Sequence, residues 1–339
     1  MKKKPLWIVL FSYLLILLCI PAVVLLPQAK KEGASQEMNQ PAIEQQNTEK
    51  PEDAAITVAV FRVSKQQVEQ MELEKYVEGV VASEMPASFE EEALKAQALA
   101  ARTYITRMMT SGGVSGLEMP ADITDTVAHQ VYKSDDELKI IWGKDYEWQK
   151  KKIKEAVAAT KGEILTYEGK PITASFFSTS NGWTENAKDY WEEDVPYLKS
   201  VPSEWDEKTS PGFLAEVTIP VNEFEEKLGI NLQEGEMGTV TARTPGNRIK
   251  TVSIAGETFS GREIREKLQL RSTDFHWKQK GNAVVIQTKG YGHGVGMSQY
   301  GANGMAKEGK KYDEILAHYF KGVKIESVEP FISAVIAQR

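Results

Sequence analysis

The chain has 339 residues, a formal net charge of −7 and one cysteine, Cys19. This acidic balance argues against broad binding to nucleic acid or to anionic lipid. Because no cysteine follows Cys19, residues 20–339 can form no disulfide, carry no thiol nucleophile and hold no metal through cysteine.

The N-terminus predicts a membrane anchor. Lys2, Lys3 and Lys4 precede an uncharged run at 6–26, and about 21 helical residues span roughly 30 Å, the thickness of a hydrocarbon core. The positive-inside rule places residues 1–5 in the cytoplasm and the rest of the chain outside. The alternative, a cleaved signal peptide, has a shorter apolar region and a small-residue cleavage site, which this run lacks. We therefore expect a single-pass membrane protein with an extracytoplasmic ectodomain.

The residues after the anchor predict a stalk and then a large folded region. Residues 27–55 are rich in Gln, Glu, Asn and Pro and contain no aromatic residue, a composition typical of a disordered stalk. Beyond them, helices and strands mix without a regular βαβ period, which predicts the α+β class. We expect a mixed main lobe, the catalytic core, formed by residues 56–211 and 282–339. A smaller inserted α/β lobe is expected at 212–281.

The elements predicted for the first part of the main lobe follow from periodicity and capping signals. Apolar residues recur at helical spacing over 73–82, and Pro86 ends that helix. Ser88 and Glu91 form a capping-box pattern, which predicts a long helix over 89–109. The remaining predicted elements are strands at 56–63, 163–167 and 172–178 and a helix at 145–160.

The smaller lobe and the C-terminal part show their own pattern. Ser260 and Glu263 predict a capped helix, and residues 244–247 predict a hairpin turn. A strand at 283–288 is expected to return to the main lobe. The other predicted elements are a strand at 215–219 and helices at 221–228, 298–308 and 312–320.

Glu84 is the strongest candidate for an acid in catalysis. It lies at the C-terminal end of the first predicted helix, where the negative end of the helix dipole raises a carboxyl pKa. A general acid needs such a shift to hold its proton near neutral pH. An ordinary solvated carboxylate remains an alternative. Lys95 and Arg102 share one face of the next helix and would lower that pKa, so its net direction stays open; they can equally be exposed cations.

A glycine-rich segment at 289–302 is the second informative region. Its alternating glycines do not match the nucleotide-binding loops and instead allow a backbone or a ligand to approach closely. His293 lies among them, either at a functional site or bonded to backbone in a structural turn. The aromatic, polar segment 176–197 suits stacking on sugar rings or ordinary packing. The other histidines are scattered and no G-x-S-x-G turn is present, so neither a zinc site nor a serine triad is predicted.

Together these segments resemble the stage II sporulation protein D family. The resemblance lies in residues 81–86, 92–104, 130–132, 177–182, 197–198 and 292–299, which follow one another in the expected order. It implies a peptidoglycan lytic transglycosylase that cuts the bond between N-acetylmuramic acid and N-acetylglucosamine in peptide-denuded strands during engulfment in endospore formation. It also implies two partners, the amidase stage II sporulation protein P and the scaffold stage II sporulation protein M, at the mother-cell membrane facing the septal space. Related members bind zinc through cysteines and histidines, which this ectodomain cannot reproduce; no cofactor is expected.

The resemblance also assigns roles to individual residues. Glu84 is expected to protonate the glycosidic oxygen and then, as a carboxylate, to accept the proton of the C6 hydroxyl that closes a 1,6-anhydro ring. The residues expected to bind substrate or to support Glu84 are Lys95, Gln97, Arg102, Ser180, Tyr197, His293, Ser298, Gln299 and Tyr319. Two alternatives remain open: a hydrolase acting on the same glycan, and a non-catalytic module that binds the wall or activates an amidase.

Overall fold

The computed structural model describes residues 56–117, 119–233 and 236–336. Within these ranges no helix is both long and apolar enough to cross a bilayer. The predicted cytoplasmic tail at 1–5, anchor at 6–26 and stalk at 27–55 lie outside the described residues. All described residues belong to one compact unit, and its architecture is α+β, as the sequence predicted.

The described N-terminal part combines a small sheet with five α-helices and one 3₁₀ helix, Gly143–Asp145. Strand β1 pairs with β2 antiparallel and with β3 parallel. The elements are β1 (Thr57–Arg62), β2 (Gln67–Glu72), α1 (Leu73–Glu84), α2 (Glu91–Thr110), β3 (Ile123–Thr124), α3 (Asp135–Trp142), α4 (Tyr146–Ala158), β4 (Glu163–Tyr167), β5 (Lys170–Pro171), β6 (Phe176–Phe177) and α5 (Ala187–Trp191).

The C-terminal part contains two further three-stranded sheets and the remaining helices. They are α6 (Trp205–Thr209), β7 (Leu214–Pro220), α7 (Val221–Leu228), β8 (Thr239–Arg243), β9 (Ile249–Ile254), β10 (Glu257–Ser260), α8 (Gly261–Lys267), β11 (Asp274–Lys280), β12 (Ala283–Lys289), β13 (Met297–Ser298), α9 (Gln299–Lys307), α10 (Tyr312–Tyr319), β14 (Lys324–Ser327) and α11 (Glu329–Ile336).

Helix α2 is the centre of the main hydrophobic cluster. Its alanines are fully buried, and short side chains allow α1, α4, α9, α10 and α11 to pack against it. The helix begins at Glu91 with Glu90 as an N-cap that makes no side-chain cap bond, so the capping box predicted from Ser88 is wrong. A tertiary contact fixes this terminus instead, because the Glu90 N–H donates to Asn303 Oδ1 at 2.8 Å.

Residues 172–178 do not form the single strand that was predicted. Only Phe176 and Phe177 are extended in a ladder, where they pair in parallel with β13. The Ser175 N–H donates to the Thr173 carbonyl at 2.9 Å and turns the chain just before this ladder. The close turn explains why only the short strand β6 forms within this β-rich segment.

A second hydrophobic cluster is built on the β11–β12–β7 and β10–β9–β8 sheets with α7 and α8. The strand expected to return to the main lobe does not do so. It is β12, the middle strand between β11 and β7, and its Val284 and Ile286 belong to the second cluster. In this register Val284 lies opposite Ile219, and both side chains are buried in the second cluster. The other expected lobe bounds remain predictions.

Candidate active site

Glu84 is the last residue of α1, and its backbone is held on both sides. Met85 turns to an extended conformation, and its side chain is 2% exposed, which anchors the chain directly after Glu84. On the other side, Gln299 Nε2 donates to the Glu84 carbonyl oxygen at 3.0 Å. The predicted site residue Gln299 therefore contacts the backbone of Glu84, and it fixes the point from which the carboxyl side chain projects.

The Glu84 carboxyl group is half-buried and makes one hydrogen bond with the described residues. Its Oε1 accepts from the Val131 N–H at 2.9 Å, while no donor among the described residues contacts Oε2. Burial raises the pKa of Glu84, and the Val131 hydrogen bond partly opposes that rise. From the sequence, the direction of this pKa shift was open, because the helix dipole would raise the pKa and nearby cations would lower it. In the structure the pKa is raised, and burial is the main cause.

A cavity of about 210 Å³ opens beside the Glu84 carboxyl group. Its walls include the aromatic rings of Tyr104 and Phe176 and the imidazoles of His129 and His293. Such a mixture of aromatic surface and a few polar groups is typical of sites that bind small molecules or sugar units. The structure therefore brings two of the predicted residues, Glu84 and His293, to one cavity.

His293 is held as a neutral ring. Its Nδ1 accepts from the Val295 N–H at 3.1 Å. Burial, reinforced by the charges of Arg265 and Arg248, lowers the pKa of His293 to about 4, against a hydrogen bond to the Phe176 backbone. The ring also lies 5.5 Å from Trp191 between centroids. His293 thus shapes the cavity wall and carries no charge at neutral pH.

The alternating glycines around His293 serve a close approach of two backbones. A Cβ on Gly296, whose φ is +82°, would lie 2.1 Å from the Ser175 carbonyl oxygen. A Cβ on Gly292, at φ +117°, would lie 2.8 Å from the Phe177 Cβ. Only glycine fits these positions. The sequence predicted that either a backbone or a ligand approaches this segment closely, and the structure shows a backbone.

Two of the predicted site residues on α2, Gln97 and Lys95, differ in their surroundings. Gln97 is fully buried, with its Oε1 at 3.5 Å from Gln299 Nε2. Lys95 pairs with Glu91 at 2.7 Å and with Glu92 at 3.1 Å. Gln97 is therefore connected to the Glu84 backbone through Gln299. The described ion pairs of Lys95 are with residues of its own helix.

Arg102 does not reach the Glu84 cavity. It is fully buried and forms a two-point ion pair with Glu74 at 2.9 and 2.7 Å. It also donates to the Glu163 carbonyl at 3.0 Å. Because all these partners join α1, α2 and β4, Arg102 stabilises the core, and the expected substrate contact is corrected on this ground.

Ser180, Ser298 and Tyr319 form part of a buried network around Asp206. The Asp206 carboxylate accepts from the Ser180 N–H at 2.8 Å, from the Ser203 hydroxyl at 2.7 Å and from the Ser298 hydroxyl. Tyr319 reaches the network through Ser203 at 2.8 Å. The three predicted residues are at most 1% exposed, so in this conformation their side chains cannot touch a glycan.

Tyr197 is also a structural residue here. Its ring is 9% exposed, its hydroxyl accepts from the Thr173 N–H at 2.9 Å, and it packs against Tyr167. These contacts hold the turn that precedes β6, so the side chain supports the cavity wall from behind.

Sequence reasoning missed the segment at 127–131, which supplies a whole wall of the cavity. Its backbone donates to Glu84 through Val131, and His129 bonds to Thr124 Oγ1 at 2.6 Å. The only available signal was the Gln130-Val131-Tyr132 match, which says nothing about where the loop folds. Within the described ranges, no group of three or more His, Cys, Asp or Glu residues is arranged to hold a metal ion.

Comparison with known proteins identifies the family of the chain. A family model described as stage II sporulation protein matches residues 62–167. The chain is 48% identical to stage II sporulation protein D of Bacillus amyloliquefaciens over 345 aligned residues, which cover 99% of this chain and 100% of the relative. The chain belongs to the stage II sporulation protein D family. The protein of that name from Bacillus subtilis is also 48% identical, over 96% of each chain. The predicted family is thus confirmed.

A more distant relative bears another name. The amidase enhancer of Bacillus subtilis is 30% identical to this family member over 74% of this chain and 40% of the relative.

Proposed function

We propose that this sporulation protein is a lytic transglycosylase that cleaves peptide-denuded peptidoglycan strands during engulfment, with Glu84 as its only acid–base residue. The observation that carries the proposal is the half-buried Glu84 carboxyl group, with a pKa raised by burial and a cavity in front of it. A carboxyl group that keeps its proton toward neutral pH can act as a general acid.

The reaction can be written with Glu84 alone. The protonated carboxyl group gives its proton to the oxygen that links C1 of N-acetylmuramic acid to C4 of N-acetylglucosamine, and the C1–O bond breaks. The resulting carboxylate then accepts the proton of the C6 hydroxyl group, whose oxygen attacks C1 and closes a 1,6-anhydro ring. The proton is back on Glu84 at the end, and no water is consumed.

The composition of the cavity favours this chemistry over ordinary hydrolysis. Glycosidases of the usual kind need two carboxyl groups on either side of the bond. Among the described residues that line the cavity, Glu84 is the only carboxylate. Its neighbours Val131 and Gln299 fix one carboxyl oxygen and the backbone, which leaves the second oxygen for the substrate.

The setting of the reaction is part of the proposal. A helix at 6–26 would anchor the chain in the mother-cell membrane, with the folded part in the septal space. The amidase stage II sporulation protein P would remove stem peptides first, and stage II sporulation protein M would hold the two enzymes together.

The test compares the wild-type chain with Glu84→Gln, both full length in mild detergent, on denuded glycan strands. The wild type should release products ending in 1,6-anhydro-muramic acid, which mass spectrometry separates from hydrolysis products by one water. Loss of a general acid typically lowers the rate by about 10²–10⁴-fold, so the variant should release almost none. Exposed Glu207 lines no cavity near Glu84, and Glu207→Gln is the matched control. Undiminished cleavage by Glu84→Gln would refute the assignment.

The similarity to a protein named amidase enhancer favours a second candidate, a non-catalytic module that activates the amidase. The two candidate functions predict different results when glycan binding, amidase turnover and release of glycan fragments are measured together. A module would bind denuded glycan and raise amidase turnover without releasing any soluble glycan fragment, and Glu84→Gln would leave that stimulation unchanged.

A further inference from the structure

A second cavity begins at Glu84, on the side of helix α3. Its volume is about 360 Å³, and Glu84 lines it together with the turn at 85–87. The other wall consists of Leu138, Ile141 and Trp142 of α3, with Lys133 just before the helix and Gln149 on α4. Glu84 therefore lines both cavities. This position suits a residue that acts on the bond between two sugar units of one strand, because each cavity can hold one unit.

The wall of the second cavity is firmly held. Ser134 and Glu137 form a capping box at the start of α3, and Glu137 also pairs with buried Arg62. At the other end of the helix, the Trp142 ring packs at 6.2 Å from Tyr146. The indole is therefore a preformed apolar surface, of the kind that stacks on sugar rings at little entropic cost.

Lys133 is the only cation among the described residues that line this cavity, and none of the described residues pairs with its ammonium group. Its side chain is half-buried and makes no ion pair or hydrogen bond with any described residue. The neighbouring lysines differ, because Lys150 pairs with Glu78 and Asp135. The backbone of Lys133 is also fixed, since its carbonyl lies against Gly79, where a Cβ would come within 2.7 Å.

We propose that the cavity beside Trp142 binds a stem-free muramic acid residue of the glycan strand, whose lactyl carboxylate pairs with Lys133. This inference rests on the proposed function and names the chemistry by which the site selects its substrate. In an intact strand the lactyl carboxyl group is an uncharged amide to the stem peptide. An amidase hydrolyses that amide and leaves a carboxylate on the sugar, which is the complement of an unpartnered ammonium group. Lys133 thus favours strands from which the stem peptide has been removed.

The test measures binding in a Glu84→Gln background, so that cleavage does not consume the ligand. The two probes are stem-free glycan oligosaccharides and chitin oligosaccharides of equal length, which lack the lactyl carboxylate. Lys133→Met should weaken binding of the muramic probe by roughly 3- to 10-fold, as expected for a partly buried charge pair, and should leave the chitin probe unchanged. Lys133→Arg should restore most of the preference.

Two control variants separate the cavity from its surroundings. Lys139→Met removes the same charge from an exposed lysine that pairs with Asp136, and it should alter neither probe. Trp142→Ala should weaken both probes together by roughly 3- to 10-fold, whereas Trp148→Ala, on a tryptophan outside the cavity that is 47% exposed, should not.

The outcomes distinguish this inference from the function on which it rests. An unchanged preference in Lys133→Met, or an equal loss for both probes, would overturn the role of Lys133. The same holds if the parent Glu84→Gln chain binds neither probe. Cleavage retained by Glu84→Gln would refute the proposed catalysis while leaving the binding preference to be measured on its own.

Discussion

Glu84 and Asp206 are two carboxyl groups whose pKa values are raised by burial, yet their surroundings differ. Asp206 is fully buried, and both of its oxygens accept hydrogen bonds from serine residues. Glu84 accepts a single backbone hydrogen bond and lines two cavities. One carboxyl group has no room for a ligand, and the other has room on both sides.

The difference shows that a raised pKa does not by itself mark a reacting group. Burial disfavours the charged form in both places, because both carboxyl groups lose water. What distinguishes Glu84 is an oxygen with no described partner and open space beside it. The Asp206 network instead ties Ser180, Ser298 and, through Ser203, Tyr319 together, and this explains why four polar side chains can be buried without a ligand.

The largest stability effect should follow from removing Asp206. Asp206→Ala leaves the Ser180 N–H and two serine hydroxyls without their acceptor in a fully buried site, which should lower the free energy of unfolding by about 3–5 kcal/mol. Asp206→Asn keeps an oxygen acceptor and an NH₂ group that Ser203 can accept from, so it should cost only about 0.5–1.5 kcal/mol. Urea unfolding of the full chain measures both, and equal costs would show that the network depends on charge.

The wall of the Glu84 cavity should weaken in acid through His293. Its folded-state pKa of about 4 lies below the ordinary value of 6.5, so the unfolded chain binds the proton more readily, and stability falls as the pH decreases from 7 toward 4. This single group should contribute about 1–3 kcal/mol to that loss. In His293→Gln the decrease between pH 7 and pH 4 should be smaller by that amount. An identical decrease in both chains would contradict a neutral, half-buried His293.

The smallest effect is expected at Glu84 itself. The folded-state pKa of Glu84 is raised, so its contribution to stability is full at low pH and is lost as the pH rises through that pKa. Glu84→Gln removes this loss and keeps the oxygen that accepts from Val131. The variant should therefore match or slightly exceed the wild type at pH 7, within about 1 kcal/mol, with no advantage near pH 4. A markedly less stable variant would assign Glu84 a structural role like that of Asp206.

Local signals in the sequence predicted several elements well. The helix expected at 221–228 is α7 (Val221–Leu228), and the capping box of Ser260 and Glu263 opens α8. These predictions succeeded because the interactions lie within three or four residues along the chain. The Ser88–Glu91 box failed because the competing partner, Asn303, is more than two hundred residues away.

By itself, the sequence determined the α+β class, the family, and the position of Glu84 at the end of a helix, since these depend on periodicity, caps and motifs read along the chain. Only the tertiary structure decided what surrounds Glu84. It brought Val131 and Gln299 to the carboxyl group and its backbone, and it buried Arg102 against Glu74. It also placed Lys133 beside Trp142 without an ion-pair partner among the described residues. Burial and pairing depend on which distant segments pack together, and residue type and spacing do not encode that packing locally.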